Sequence, residues 1–247
     1  MTEPIVYIGK DLEAMSVTVN YQNWIIEQFK PFIGKHVVEV GAGTGSISAM
    51  LLAENPQTLA LVEPSDMFQQ LEQNIGRIET NTEVSFHHSI FLAAGAEIVA
   101  KQRPDTIVYV NVLEHIEDDQ KELDAIYECM ESGGHALIFV PALMALYGEF
   151  DRKIGHFRRY SKIELEEKCR SAGFEIVHSK YFDLAGVIPW FVKYRLLRSD
   201  SLGSAAVKIY DKLVVPVAKP LERLIKIPVG KNVIMAVRKP ASGSDDR

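Results

Sequence analysis

The chain has 247 residues, 47% of them apolar and 24% charged, with 16 Gly, 11 Pro and two cysteines. This is the size and balance of one folded α/β domain; it excludes a disordered, collagen-like or low-complexity chain, and two thiols exclude a disulfide scaffold or a four-thiolate zinc centre. The net charge of −6 sums unlike parts: residues 1–192 carry 15 basic and 28 acidic side chains, residues 193–239 carry 11 and 3, and residues 240–247 add −1.

The first residues place acids where a signal peptide carries Lys or Arg, and the longest late apolar stretch, 182–197, is interrupted by Asp183, Pro189, Lys193 and Arg195. A cytoplasmic location with free thiols is therefore expected. In chain order, Tyr21, Trp24, Ile25, Phe29 and Phe32 hold helical spacing over 19–32, closed by Pro31 and Gly34. A β-branched run at 36–40 leads into Gly41, Gly43 and Gly45, and a helix opens at Ile47. A strand at 58–62 ends on Glu63-Pro64, a helix follows at 67–78, and a strand at 83–86. Residues 105–110 are almost wholly apolar, as a central parallel strand is. A helix at 118–130 stops at Ser132-Gly133-Gly134, and a strand at 135–140 stops at Pro141. Ser161 and Glu164 form a capping box for a helix reaching Ala172-Gly173, and 174–177 and 232–238 read as the last strands. Strands alternating with helices of this length predict a single Rossmann-like α/β domain, its sheet mostly parallel and covered on both faces.

The three glycines at i, i+2 and i+4 sit between a strand and a helix, where backbone approaches a ligand closely. A dinucleotide fingerprint would put its third glycine at Ser46, and a phosphate loop would need a lysine; neither fits. Instead Glu39 lies inside the strand, which suits a cationic ligand, and Glu63 ends the next strand, where it can accept from ribose hydroxyls. Glu39-x-Gly41-x-Gly43-x-Gly45, then Glu63, then Asn111-Val-Leu-Glu114-His115-Ile after the fourth strand resemble a class I S-adenosylmethionine (SAM)-dependent methyltransferase. The resemblance implies a seven-stranded sheet in the order 3-2-1-4-5-7-6 and a site for SAM, released as S-adenosylhomocysteine. It further implies that Gly41, Ala42, Gly43 and Gly45 lie against the donor, with Glu39 behind them and Tyr21 nearby. Glu63 would hold the ribose; Pro64, Ser65 and Met67 would line the adenine side; Asn111, Val112 and Leu113 would wall the sulfonium. The acid that many members carry after the third strand is replaced here by His88-Ser89-Ile90, leaving Ser89 and Ile90 as the candidates.

Asn20-Tyr21 with Trp24, Pro141-Ala142, Leu146-Tyr147-Gly148, Gly155-His156, Arg158-Arg159-Tyr160 and Tyr181-Phe182 are similar to a bacterial methyltransferase group associated with glycosyltransferases of surface-glycan assembly. His156 is the first candidate for a general base toward an oxygen acceptor and His115 the second. Tyr147, Arg158, Arg159, Tyr160 and Trp190 are the candidates for binding a small anionic, lipid- or glycan-linked acceptor, the two arginines as an anion clamp. His87 and His88 are adjacent and point opposite ways, and no Asp/Asn cluster of the magnesium-dependent type is present, so no metal is expected. Nucleic acid is disfavoured by the acidic main domain. A non-catalytic SAM-binding subunit, and transfer to nitrogen or carbon, remain as alternatives.

The expected partition is a helical segment at 1–34, a core at 35–182, a basic insertion at 183–231, a last strand at 232–239 and a disordered tail at 240–247. In the insertion, Tyr210, Leu213, Val214, Val217, Leu221, Leu224 and Ile225 keep helical spacing beside Lys208, Lys212, Lys219, Arg223 and Lys226. Pro216 and Pro220 predict a break. Such an element is either a lid whose apolar face packs on the domain or a peripheral contact with an anionic membrane.

Overall fold

The computed structural model describes residues 18–199 and 203–241; the expectations for the first residues and for the tail beyond 241 lie outside them. Seven strands, β1 (His36–Val40), β2 (Thr58–Val62), β3 (Glu83–His87), β4 (Thr106–Val110), β5 (His135–Pro141), β6 (Glu175–Phe182) and β7 (Asn232–Arg238), form one sheet. Its order is β3-β2-β1-β4-β5-β7-β6, parallel except where β7 runs antiparallel to β5 and β6. This is the predicted Rossmann-like arrangement.

The helices of the main layer are α1 (Val19–Phe29), α2 (Ser46–Leu52), α3 (Phe68–Ile75), α4 (Phe91–Gln102), α5 (Asp119–Cys129), α6 (Glu149–Lys153) and α7 (Lys162–Ser171). Alternation along β1 sends Val38 and Val40 into one core with Phe91, Ile98, Leu123 and Ile126, and Val37 into the other with Trp24, Phe29, Leu51 and Phe182. Glu39 shares the second face, which is why it meets Ser48 of α2. The capping box of Ser161 forms as predicted, with the Glu164 N–H donating to Ser161 Oγ at 3.1 Å.

Three elements depart from the sequence reading: α4, β6 and the short α6, which forms where no helix is predicted. The helix α4 has no counterpart there: Gly95 sits in its middle, and a Cβ at that position would come within 3.0 Å of Cys129 Sγ. Close helix–helix approach, rather than propensity, explains that residue. Strand β6 continues five residues past the predicted end at 177, because an edge strand tolerates polar residues such as His178 and Lys180 that conceal its period.

Between β6 and β7 lies the insertion, helical as expected. Helix α8 (Val187–Trp190) runs into a π-helical turn (Phe191–Leu196); α9 (Ser204–Ile209) runs through a second such turn (Tyr210–Val214) into α10 (Val215–Leu224). The predicted break takes the form of a widened turn just before Pro216, while Pro220 is carried inside α10. Asp211, Glu222, Lys219 and Arg223 help to tether this segment. Buried Asp211 accepts from the N–H groups of Asn20 and Tyr21 at 3.2 and 2.8 Å, capping α1 from outside its own sequence neighbourhood. Glu222 accepts from the N–H groups of Asp183 and Leu184 at 3.1 and 2.7 Å. Lys219 and Arg223 both pair with Glu27 of α1 at 2.6 Å; they belong to the contact with the domain, not to a free basic face.

Candidate active site

The turn after β1 is built by glycine for two different reasons. Gly41 has φ +71°, and a Cβ there would lie 2.4 Å from Val112 Cγ2, so packing forbids any side chain. Gly43 has φ +57° and only Met67 Cε at 4.0 Å near its missing Cβ, so the space a side chain would fill is open. That space belongs to a cavity of about 370 Å³ at the C-terminal edge of the sheet, where ligands of open α/β sheets bind. Glu63, buried at the end of β2, accepts from the Gly43 N–H at 2.7 Å and the Ser65 N–H at 2.8 Å. The carboxylate thus ties the turn to β2, and each oxygen keeps a further lone pair. Glu39 accepts from Ser48 Oγ, and burial pushes its carboxyl up to about 8, the serine hydroxyl opposing this and the negative charge of Glu63 adding to it. An acid held that way gains from a cationic ligand.

Of the residues predicted to hold the donor, Tyr21, Glu39, Gly41, Ala42, Gly43, Glu63, Met67, Asn111 and Val112 line the cavity. Asn111 does so at φ +54°, a conformation that asparagine tolerates better than most residues. Gly45, Pro64, Ser65, Ser89, Ile90 and Leu113 are not on its wall. Leu113 turns into the core instead, Ser65 is buried under Glu63, and Ile90 is exposed at the start of α4. The open cradle at Gly43 and the acid pair Glu39 and Glu63 fit a ribose-bearing cation.

The acceptor side is less as predicted. Trp190 and Arg159 line the cavity, but Tyr147, Arg158 and Tyr160 do not. Arg158 pairs with Asp119 at 2.7 Å; Tyr160, fully buried, donates to the same carboxylate at 2.8 Å; Tyr147 donates to the His156 carbonyl at 2.7 Å. Arg159 is held by Asp151 at 2.7 Å and stacks on Trp190 at 4.8 Å. The clamp of two arginines is therefore replaced by two internal ion pairs, with Asp119 at the start of α5 and with Asp151 of α6. Trp190 Nε1 is buried without a hydrogen-bond partner. Lys193, Tyr194, Tyr210 and Lys231, all from the insertion or its end, join the cavity wall and were not predicted; nothing in a local pattern places them there.

His115 and His156, read as alternatives, meet edge to face at 4.5 Å between ring centroids. The Phe157 N–H donates to the Glu114 carbonyl at 2.9 Å, pinning the loop after α6 onto the turn after β4. His156 Nδ1 is 3.1 Å from Asp151 Oδ1, and its Nε2 is 3.7 Å from Glu114 Oε1. Burial drives His115 down to about 3 and Glu114 up to about 7; the His156 ring adds to the first and opposes the second. Glu114, which the sequence offers only as part of a motif, is fully buried, and neither of its carboxylate oxygens has a hydrogen-bond partner. Cys169 is buried and its thiol is raised to about 12, which suits packing rather than chemistry.

Residues 20–179 match the family described as a methyltransferase domain, and the chain belongs to that family. It is 33% identical over 98 residues to an uncharacterized methyltransferase of Bacillus pumilus (strain SAFR-032), covering 40% of this chain and 42% of that protein. Over 118 residues it is 29% identical to a ubiquinone biosynthesis O-methyltransferase of Vibrio atlanticus (strain LGP32), 46% of each. The chain thus spans less than half the length of the curated relatives it matches. In fold it is similar to a SAM-dependent methyltransferase from Archaeoglobus fulgidus, with TM-score 0.57 and 14% identity over 91% of this chain and 94% of that one. It is also similar to Burkholderia thailandensis 1,6-didemethyltoxoflavin-N1-methyltransferase with bound 1,6-didemethyltoxoflavin and S-adenosylhomocysteine, with TM-score 0.55 and 16% identity over 94% and 82%.

Proposed function

We propose that this protein transfers a methyl group from SAM to an oxygen of an anionic small molecule, one carried on a lipid or glycan. The observation that carries this is one cavity joining two chemistries: the open glycine turn with Glu39 and Glu63, and the buried cluster Glu114, His115 and His156. SAM supplies an electrophilic methyl on a sulfonium. The chain's own residues would do the rest: Glu39 and Glu63 favour the cation and its ribose, and Gly43 admits it. Val112 and Asn111 wall the reacting end. Trp190, with its unpartnered N–H, and Lys193 bring a donor and a positive charge to the acceptor side.

The acceptor proton would be removed at the Glu114–His115–His156 cluster, since His156 Nδ1 is engaged by Asp151 and its Nε2 is left to face inward. In-line positioning in the cavity supplies the remaining drive. The lipid or glycan carrier is supported by the segments similar to the glycosyltransferase-associated group and by the insertion. On it, Ile209, Leu213, Val217, Leu221, Leu224 and Ile225 are 55–82% exposed beside exposed Lys208, Lys212 and Lys226. Apolar residues of that size, left in water with cations around them, suit an anionic membrane surface. The test is calorimetry with SAM followed by S-adenosylhomocysteine release across hydroxylated, anionic and polyprenyl-linked acceptors. Turnover with an oxygen acceptor is expected. Tight SAM binding with no product on any acceptor would replace the reading by a non-catalytic SAM-binding subunit, and turnover only with amines or carbanions would move the accepting atom.

A further inference from the structure

Glu114 poses a problem of charge. It is fully buried, both carboxylate oxygens lack a hydrogen-bond donor, and the nearby guanidinium of Arg159 is already committed to Asp151. An ionised carboxylate buried without a partner costs several kcal/mol, so a proton or a cation must answer it. Around it stand two imidazoles whose other nitrogens are already engaged. His156 Nδ1 faces Asp151 Oδ1 at 3.1 Å, and His115 is hydrogen-bonded to the backbone of Gly155. This outer arrangement, in which a carboxylate and a backbone group orient the rings, is the one that metal-binding histidines show, and each of the three residues offers a ligand atom to the others.

We propose that Glu114, His115 and His156 form a site for one divalent transition-metal ion, with a coordination position open to the cavity. One ligand atom from each of the three residues lies within 4.8 Å of the others, and His156 Nε2 to Glu114 Oε1 is 3.7 Å. Ligands sharing one tetrahedral ion sit roughly 3.4 Å apart, given bonds of about 2.1 Å, so small side-chain rotations close the set. Two imidazoles and one carboxylate select zinc, iron, manganese or cobalt over magnesium or calcium, which prefer all-oxygen shells. Three protein ligands with the fourth position facing a ligand cavity is the pattern of a working ion rather than a structural one. The absence of metal expected from sequence rested on His87 and His88 and on a missing Asp/Asn cluster; the three proposed ligands come instead from the segments after β4 and after α6, which are not neighbours in sequence.

This inference rests on the reading that the acceptor oxygen meets the cluster. There the ion would lower the acidity threshold of the acceptor hydroxyl, whose proton passes to solvent. The C–O bond forms as the C–S bond breaks, with its electron pair leaving on sulfur. His115 and His156 would then act as ligands, the ion taking over the task of a base.

The experiment uses the full chain, stripped with EDTA, titrated with Zn²⁺ by calorimetry and with Co²⁺ by visible absorption. One ion per chain is expected, with ligand-field bands for Co²⁺ and at least about tenfold weaker uptake, or 1.4 kcal/mol, in Glu114→Gln and His156→Asn. Retained SAM binding marks each variant as folded. No stoichiometric uptake of either ion by the wild type, or equal uptake by the folded variants, overturns the site. Full-rate methyl transfer by protein shown metal-free by elemental analysis overturns the ion's role and leaves the methyl-transfer reading standing. Metal uptake without SAM binding would do the reverse.

Discussion

At the scale of single residues, the donor side turns on Glu39 and Gly43. Glu39 has its folded value raised to about 8 from an ordinary 4.5 by burial, with the Glu63 charge adding and Ser48 opposing. The folded state therefore holds a proton that the unfolded chain releases, and stability declines as pH rises from about 4.5 through about 8, then levels off. Glu39→Gln is expected to remove that decline in urea titrations of the protein without SAM. The same ionisation is favoured by a bound cation, so wild-type SAM affinity should rise with pH up to about 8, and the Gln variant should bind weakly and without that slope. Calorimetry at several pH values measures both. At Gly43, Asp is among the few residues that tolerate φ +57°, and nothing packs closely against its missing Cβ. Gly43→Asp, strained at φ +57° and set beside the Glu63 carboxylate, should melt below the wild-type temperature but remain folded, and lose about tenfold or more in SAM affinity, roughly 1.4 kcal/mol, because its side chain occupies the cradle.

At the scale of elements, the insertion and α1 depend on one another. Thr18 makes no side-chain cap for α1, and the N–H groups of Asn20 and Tyr21 are satisfied by Asp211, 191 and 190 residues away. Asp183, buried at φ +65°, gathers Tyr21, Tyr210, the Gly186 N–H and Lys231 at the other end of the same seam. Losing an N-cap acceptor costs about 0.5–2 kcal/mol. Asp211→Ala is expected to cost at the upper end of that range in urea unfolding, because it frees two donors at once. Faster amide exchange at the start of α1 and across α9 and α10 should accompany it, and exchange confined to the insertion would show that the cap is not shared. Since Tyr21 and Tyr210 both line the cavity, the loss should also weaken SAM binding.

At the scale of the molecule, charge and apolar surface are sorted together. The acidic part builds the sheet and its carboxylates; the basic part lies in the insertion, where Ile188, Leu196 and Leu197 are 68–73% exposed alongside the stripe on α9 and α10. One face of the segment covers the domain, with Val215 and Ala218 buried and Tyr210 and Val214 packed on the core, while this stripe stays exposed. Co-sedimentation with vesicles should favour anionic over neutral lipid, each exposed cation contributing on the order of 1 kcal/mol at low salt. Leu213→Asp with Leu224→Asp should abolish it while SAM binding persists. Equal, negligible binding to both lipids would reject the membrane contact. Among the described residues no helix is long and apolar enough to cross a membrane.

The amino-acid sequence by itself determined the alternation of strands and helices, the glycine turn with Glu39 and Glu63, and the position and positive charge of the insertion. Each of these is written in residues close together, as period, turn chemistry or composition. The tertiary structure alone decided that Arg158 and Arg159 are spent on Asp119 and Asp151, that Asp211 caps a helix near the other end of the chain, and that α4 runs through Gly95. It alone brought Glu114 and His115 against His156. Charges and ligands choose partners by distance in space, and the β4 and β5 edges that bring those loops together are joined only when the sheet closes.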